Sequence, residues 1–217
     1  MESATIQGRE PTAGESGRQA VGAIQVQQGW SPADPGPLGL AAFALTTFVL
    51  SMFNAGLVSS AGEPVVLGLA LGYGGIAQIL AGMWEFRKGN VFGATVFSSY
   101  GAFWLSFWAF VTFFAGEIPT AHVGASVGLY LIAWGIFTTY MFVASLRTTA
   151  AVATVFFLLA ITFFLLGIGN SSETEGVVEA GGWFGLATAV AAWYASFAAV
   201  TNSTFGRTVL PVRSLGR

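Results

Sequence analysis

The chain has no cysteine among its 217 residues and a single histidine, His122. Disulfides and thiolate metal sites are therefore excluded, and a His-based metal centre or a Ser/His/Asp triad has too few parts. Charge is scarce too. Charged residues make up 8% of the chain, with a net charge of −2, where a soluble domain carries about 25%. No basic surface invites nucleic acid, and no Walker motif is present to drive a primary pump. Neither a metal nor a cofactor is expected.

What the chain has is hydrophobic length. Apolar residues are 54% of the total and the mean hydropathy is +0.71, so the bilayer is the natural solvent for it. The charges leave uncharged windows at 35–62, 64–84, 89–116, 118–146, 148–172 and 180–206. Each reaches the roughly 20 residues a helix needs to cross the hydrocarbon core. The windows are continuously apolar and too long for alternating barrel strands. The fold class is thus an all-α integral membrane protein with six transmembrane helices, expected at about 38–58, 65–84, 91–115, 123–145, 149–169 and 183–203. Residues 1–33 are polar and Gly/Gln-rich with no apolar stretch, and read as a disordered cytoplasmic tail rather than a signal peptide. Residues 34–206 form the membrane domain and 207–217 a cytoplasmic C-terminal tail.

The basic residues set the orientation. Placing the N-terminus inside puts Arg9, Arg18, Arg87, Lys88, Arg147, Arg207, Arg213 and Arg217 on the cytoplasmic side. The three outer loops then carry only Glu63, Glu117, Glu173, Glu175 and Glu179. Both termini are accordingly expected in the cytoplasm.

Glycines four apart, Gly68/Gly72, Gly124/Gly128 and Gly181/Gly185, suit close helix packing in lipid. An inverted three-plus-three arrangement is compatible with six spans, although no internal repeat stands out. Polar side chains inside a membrane each need a partner or a wet cavity. Thr47, Ser51 and Asn54 share one face of the first span, where Thr46 also lies. Gln78 lies in the second span, Ser98 and Tyr100 in the third. Together they suit a weakly polar route for a small solute. No charged residue lies deep in a span. Glu85, beside Arg87 and Lys88 at the inner end of the second span, reads as an interfacial ion-pair cluster or as a gating or coupling group. His122, at the outer edge of span four, reads as interfacial or as a proton sensor. The two sit on opposite sides of the membrane and cannot form one acid–base pair, so no enzyme is expected.

Three stretches carry a resemblance. Asp34-Pro35-Gly36-Pro37-Leu38-Gly39-Leu40, followed by Phe43 and Thr46-Thr47, resembles the NPAPLGL-x-x-F-x-x-TT signature of the acetate uptake transporter family, the succinate–acetate permease or YaaH-type family. Residues 73–104, YGGIAQILAGMWEFRKGNVFGATVFSSYGAFW, resemble its second and third spans, and 205–211, FGRTVLP, its C-terminal motif. Asp34 replaces the signature's Asn and Gly36 its Ala. Asp34 adds a negative charge at the cytoplasmic mouth, where a helix start would otherwise attract anions. The resemblance implies a homohexamer whose subunits each hold a pore through the six-helix bundle, narrowed by Phe43, Tyr100 and Leu159, with Ala192 a small residue on the same path. It implies transport of acetate, and of succinate or similar carboxylates, across the cytoplasmic membrane, by proton-linked secondary transport or channel-like permeation. The alternative is a channel for a small neutral solute such as ammonia or urea. A non-transporting membrane protein is the third reading, and polar groups in every span count against it.

Overall fold

The computed structural model describes residues 30–216, so most of the expected N-terminal tail lies outside the described residues. From Pro32 onward the chain is one compact unit. It is all-helical, with six helices long and apolar enough to cross a membrane: α1 Gly36–Asn54, α2 Val65–Lys88, α3 Val91–Glu117, α4 Thr120–Ser145, α5 Ala150–Ser171 and α6 Glu175–Phe205. Local chemistry sets the ends. Pro37 opens α1, where a missing N–H costs nothing. Asn90 and Thr149 cap α3 and α5, each side-chain oxygen accepting a backbone N–H three residues on at 3.2 Å. Gly89 and Gly206, at φ +79° and +63°, close α2 and α6 in the left-handed conformation that glycine adopts without penalty.

Three boundaries lie four or more residues from the expectation, one of them the end of α2, at Lys88 rather than about 84. The sixth helix begins at Glu175 rather than near 183. Its early acids bounded the uncharged window, yet the first turn of a helix favours carboxylates, so they extend the helix instead of ending it. The first helix stops at Asn54, four residues short, because the chain turns at Gly56 with φ +69°. Six-residue and five-residue π-helical stretches interrupt α2 at Gly72–Ala77 and α3 at Phe110–Phe114. Nothing in the hydropathy pattern announces them.

α1 lies along α6, α2 along α3, and α5 is flanked by α4 and α6. Glycines permit the close approaches. A Cβ at Gly101 would stand 2.9 Å from the Gly75 carbonyl oxygen, and one at Gly128 2.7 Å from that of Gly167. Of the three glycine pairs read from sequence, Gly124/Gly128 and Gly181/Gly185 pack this way. Gly68 and Gly72 face open space within the chain, which corrects the expectation for that pair. The C-terminal segment does not trail away. Asn202 Oδ1 accepts from Val209 N–H and Leu210 N–H, Tyr194 donates to the Pro211 carbonyl at 2.6 Å, and Ala150 N–H donates to the Arg213 carbonyl at 2.8 Å. Tyr194 and Asn202 therefore anchor this strap.

Candidate functional site

Two cavities open from opposite ends of the bundle. The first, about 300 Å³, lies among the starts of α1, α3 and α5 and the ends of α2 and α6, and includes Asp34, Leu40, Glu85, Lys88, Val96 and Phe156. The second, about 250 Å³, lies at the other end and includes Leu50, Asn54, Glu63, Phe103, Leu131 and Leu166. Leu40 and Leu50 are ten residues apart on α1, about 15 Å along the helix; Phe97 and Phe103, which line opposite cavities on α3, are about 9 Å apart. A layer of this thickness separates the two.

That layer is aromatic. Tyr100, 1% exposed, meets Phe43 at a ring-centroid distance of 5.7 Å, Phe137 edge-on at 5.5 Å, Phe156 at 6.1 Å and Phe163 stacked at 6.5 Å. Leu159, 4% exposed, falls between Phe156 and Phe163 on α5, all three being buried in the same core cluster. Such rings bury large apolar area and pack in tilted and edge-on geometries worth more than the area alone.

A hydroxyl pair lies within the apolar layer. Tyr100 Oη and Thr138 Oγ1 are 2.8 Å apart, and Thr138 Oγ1 donates to the Trp134 carbonyl at 2.7 Å. Threonine has one hydroxyl proton. Both contacts are satisfied when Tyr100 donates to Thr138 and Thr138 donates to Trp134. The phenol's proton is thus engaged, and what Tyr100 still offers is a lone pair, which suits a protonated acid better than a bare carboxylate.

The ends differ from the middle. Lys88 Nζ lies 2.8 Å from Asp34 Oδ1, and the same oxygen accepts Gly36 N–H at 3.0 Å. Glu85, 2% exposed, accepts from Asn90 Nδ2 at 2.9 Å. At the opposite end, burial pushes the Glu63 carboxyl above its ordinary range.

A sequence profile for the GPR1/FUN34/yaaH family matches residues 17–216. The chain belongs to this family. It is 44% identical over 195 residues to acetate permease A of Emericella nidulans, covering 83% of this chain and 65% of that one. It is 41% identical over 180 residues to the succinate-acetate/proton symporter SatP of Escherichia coli strain K12, covering 83% of this chain and 95% of that one. The chain thus spans less than two thirds of the fungal permease's length and nearly all of the bacterial symporter's. The solved structure of the bacterial acetate channel SatP superposes with a TM-score of 0.78 at 40% identity, over 83% of this chain and 99% of that one. Family membership and six apolar spans make this a multi-pass membrane protein.

Within this fold the residues singled out from sequence scatter. Phe43, Tyr100 and Leu159 meet in the central layer. Asn54 lines the Glu63-end cavity and Glu85 the Asp34-end cavity. Thr46 is fully buried, bonds its own helix at the Ala42 carbonyl, and packs over Gly74. Ser98 sits against Gly82 at the α2–α3 contact. Thr47 Oγ1, Gln78 Oε1 and Ser98 Oγ are buried and make no hydrogen bond within the chain. Ala192 is wholly buried in the core. At the inner end of α2, Lys88 bonds Asp34 and Glu85 bonds Asn90. His122 is exposed. Sequence reasoning missed Thr138 as Tyr100's partner and Phe156 and Phe163 as walls. Phe156, Leu159 and Phe163, at i, i+3 and i+7, carried a one-face signal that uniform hydrophobicity concealed.

Proposed function

We propose that this chain carries acetate, and short carboxylates such as succinate, across the cytoplasmic membrane through the two cavities and the layer between them. The observation that carries the reading is the central layer itself. Phe43, Tyr100 and Leu159 leave a dry barrier that accepts a methyl group and disfavours an unpaired charge. The Tyr100 oxygen is placed to accept a hydrogen bond from a carboxylic acid O–H. The acid therefore crosses with its proton, and net flux is proton-linked. Family membership supports the same substrate class, and the relatives' names describe both a symporter and a channel.

The basic ends of the helices, including Arg87, Lys88, Arg147, Arg207 and Arg213, lie at the Asp34 end, and Glu63, Glu117, Glu173, Glu175 and Glu179 at the other. The positive-inside rule places the Asp34 end and both termini in the cytoplasm. Six spans per subunit and apolar outer faces such as Leu129, Ile136 and Val143 on α4 fit a homohexamer, which a mass measurement in mild detergent tests.

The deciding experiment is uptake of labelled acetate into proteoliposomes, with and without an inward proton gradient, against protein-free vesicles because acetic acid crosses lipid unaided. Saturable uptake above that control, competed by short carboxylates and stimulated by the gradient, is expected. Folded protein with no excess uptake would instead bring forward a channel for a neutral solute such as ammonia or urea.

A further inference from the structure

Asp34 occupies the donors that an incoming carboxylate would use. Its Oδ1 takes both the Lys88 ammonium, at 2.8 Å, and the Gly36 N–H at the start of α1, at 3.0 Å. An ammonium and a helix-start N–H converging on one oxygen form a donor set for a carboxylate. Asp34, Gly36 and Lys88 all line the cavity at this end, and so does Glu85. Glu85 is 2% exposed, with Oε2 held by Asn90 and its carboxyl against Gly93. A substrate anion arriving here meets two carboxyl groups and a cation already engaged. The related signature carries a neutral Asn at position 34, so this competition belongs to the present chain.

We propose that Asp34 is a tethered competitor of the substrate: it rests on Lys88 and the α1 start, and a carboxylate from solution exchanges with it to load the cavity. This rests on the carboxylate reading above. The exchange is physically easy. Asp34 lies in the non-helical segment ahead of α1, and its side chain is 57% exposed against 34% for Lys88. An ion pair so open to water is weak and yields to a ligand without moving a helix. Glu85, by contrast, is locked in the wall by Asn90 and does not exchange.

The test is the concentration dependence of acetate exchange in proteoliposomes at fixed pH and ionic strength. It compares the unmodified chain with Asp34→Asn, Asp34→Ser, Lys88→Gln and the double variant Asp34→Asn/Lys88→Gln. Asp34→Ser keeps an oxygen for Gly36 N–H, so a folding loss in one Asp34 variant leaves the other to decide. Removing the charge is expected to lower the half-saturating acetate concentration by about two- to fivefold, the fold-change an exposed ion pair is worth. Lys88→Gln should raise that concentration, and in its background Asp34→Asn should do nothing. An unchanged or higher half-saturation in both Asp34 variants overturns the proposal. So does an equal decrease with Lys88 absent, which would show only a general charge effect. Flux of the unmodified chain equal to protein-free vesicles overturns the carboxylate reading, and the proposal with it.

Discussion

The cavities at the Asp34 and Glu63 ends are close in size, about 300 and 250 Å³, and both have mainly apolar walls, yet they treat charge in opposite ways. At the Asp34 end Lys88 bonds Asp34, and the deeper Glu85 is held by Asn90. At the Glu63 end the wall contains no cation among the described residues. Asn54, Ser126, Tyr130 and Asn170 are neutral, and Glu63 meets desolvation without a compensating charge. The layer between them is built of aromatic and aliphatic side chains around the Tyr100–Thr138 hydroxyl pair. The two ends therefore differ in charge pairing: Asp34 has Lys88 beside it, and Glu63 has no cation among the described residues of its wall.

The largest effect should come from thinning that middle layer. Phe43→Ala and Leu159→Ala each remove a buried wall of the constriction, and the rate of succinate uptake relative to acetate should rise on the order of tenfold, the scale on which apolar pockets discriminate by size. A buried Phe→Ala change also costs about 3–5 kcal/mol of stability, so Phe43→Leu is the gentler companion. An unchanged succinate-to-acetate ratio in folded protein would remove these residues from the barrier and leave the two cavities unconnected.

A smaller effect should follow from altering the layer's polarity at constant shape. Thr138→Val keeps the volume but removes the acceptor that engages the Tyr100 proton. Tyr100 can then donate to an anion, and acetate uptake should persist to higher pH than in the unmodified protein. Tyr100→Phe removes the lone pair as well, and uptake should fall about fivefold at every pH, the scale of one net hydrogen bond. Superimposable pH profiles for all three proteins would mean that the acid's protonation is not read at this hydroxyl.

How much of this was legible in advance depends on the kind of signal. Six spans followed from the spacing of scarce charges, because long uncharged runs have one good solution in lipid. Helix ends were less legible where a charge is compatible with a helix, as at Glu175, or where a glycine turn intervenes, as at Gly56. The constriction was legible only through resemblance. Phe43 and Leu159 are chemically indistinguishable from packing residues, and one face cannot be picked out when the whole helix is apolar. Thr46, read from sequence as one of the polar groups along the route, bonds its own helix. What sequence could not carry at all is pairing across helices. The Tyr100–Thr138 bond joins residues 38 apart, and the Asp34–Lys88 bond residues 54 apart.

The smallest effect expected tests the charge contrast itself, at Glu63. Burial raises its pKa in the folded protein above the ordinary glutamate value of 4.5, so the folded state holds this proton at a pH where the unfolded chain has released it. Stability tied to the group is then complete below the ordinary value and is lost as pH rises through the folded one. Glu63→Gln cannot ionise and should escape that loss. Melting curves of the two proteins in detergent should run together at the acid end and separate as pH increases, with the Gln variant melting higher by at most about 2 °C, since the group is only half-buried. A separation in the other direction, with the unmodified protein the more stable at neutral pH, would reveal a cation serving Glu63. The two ends would then handle charge alike.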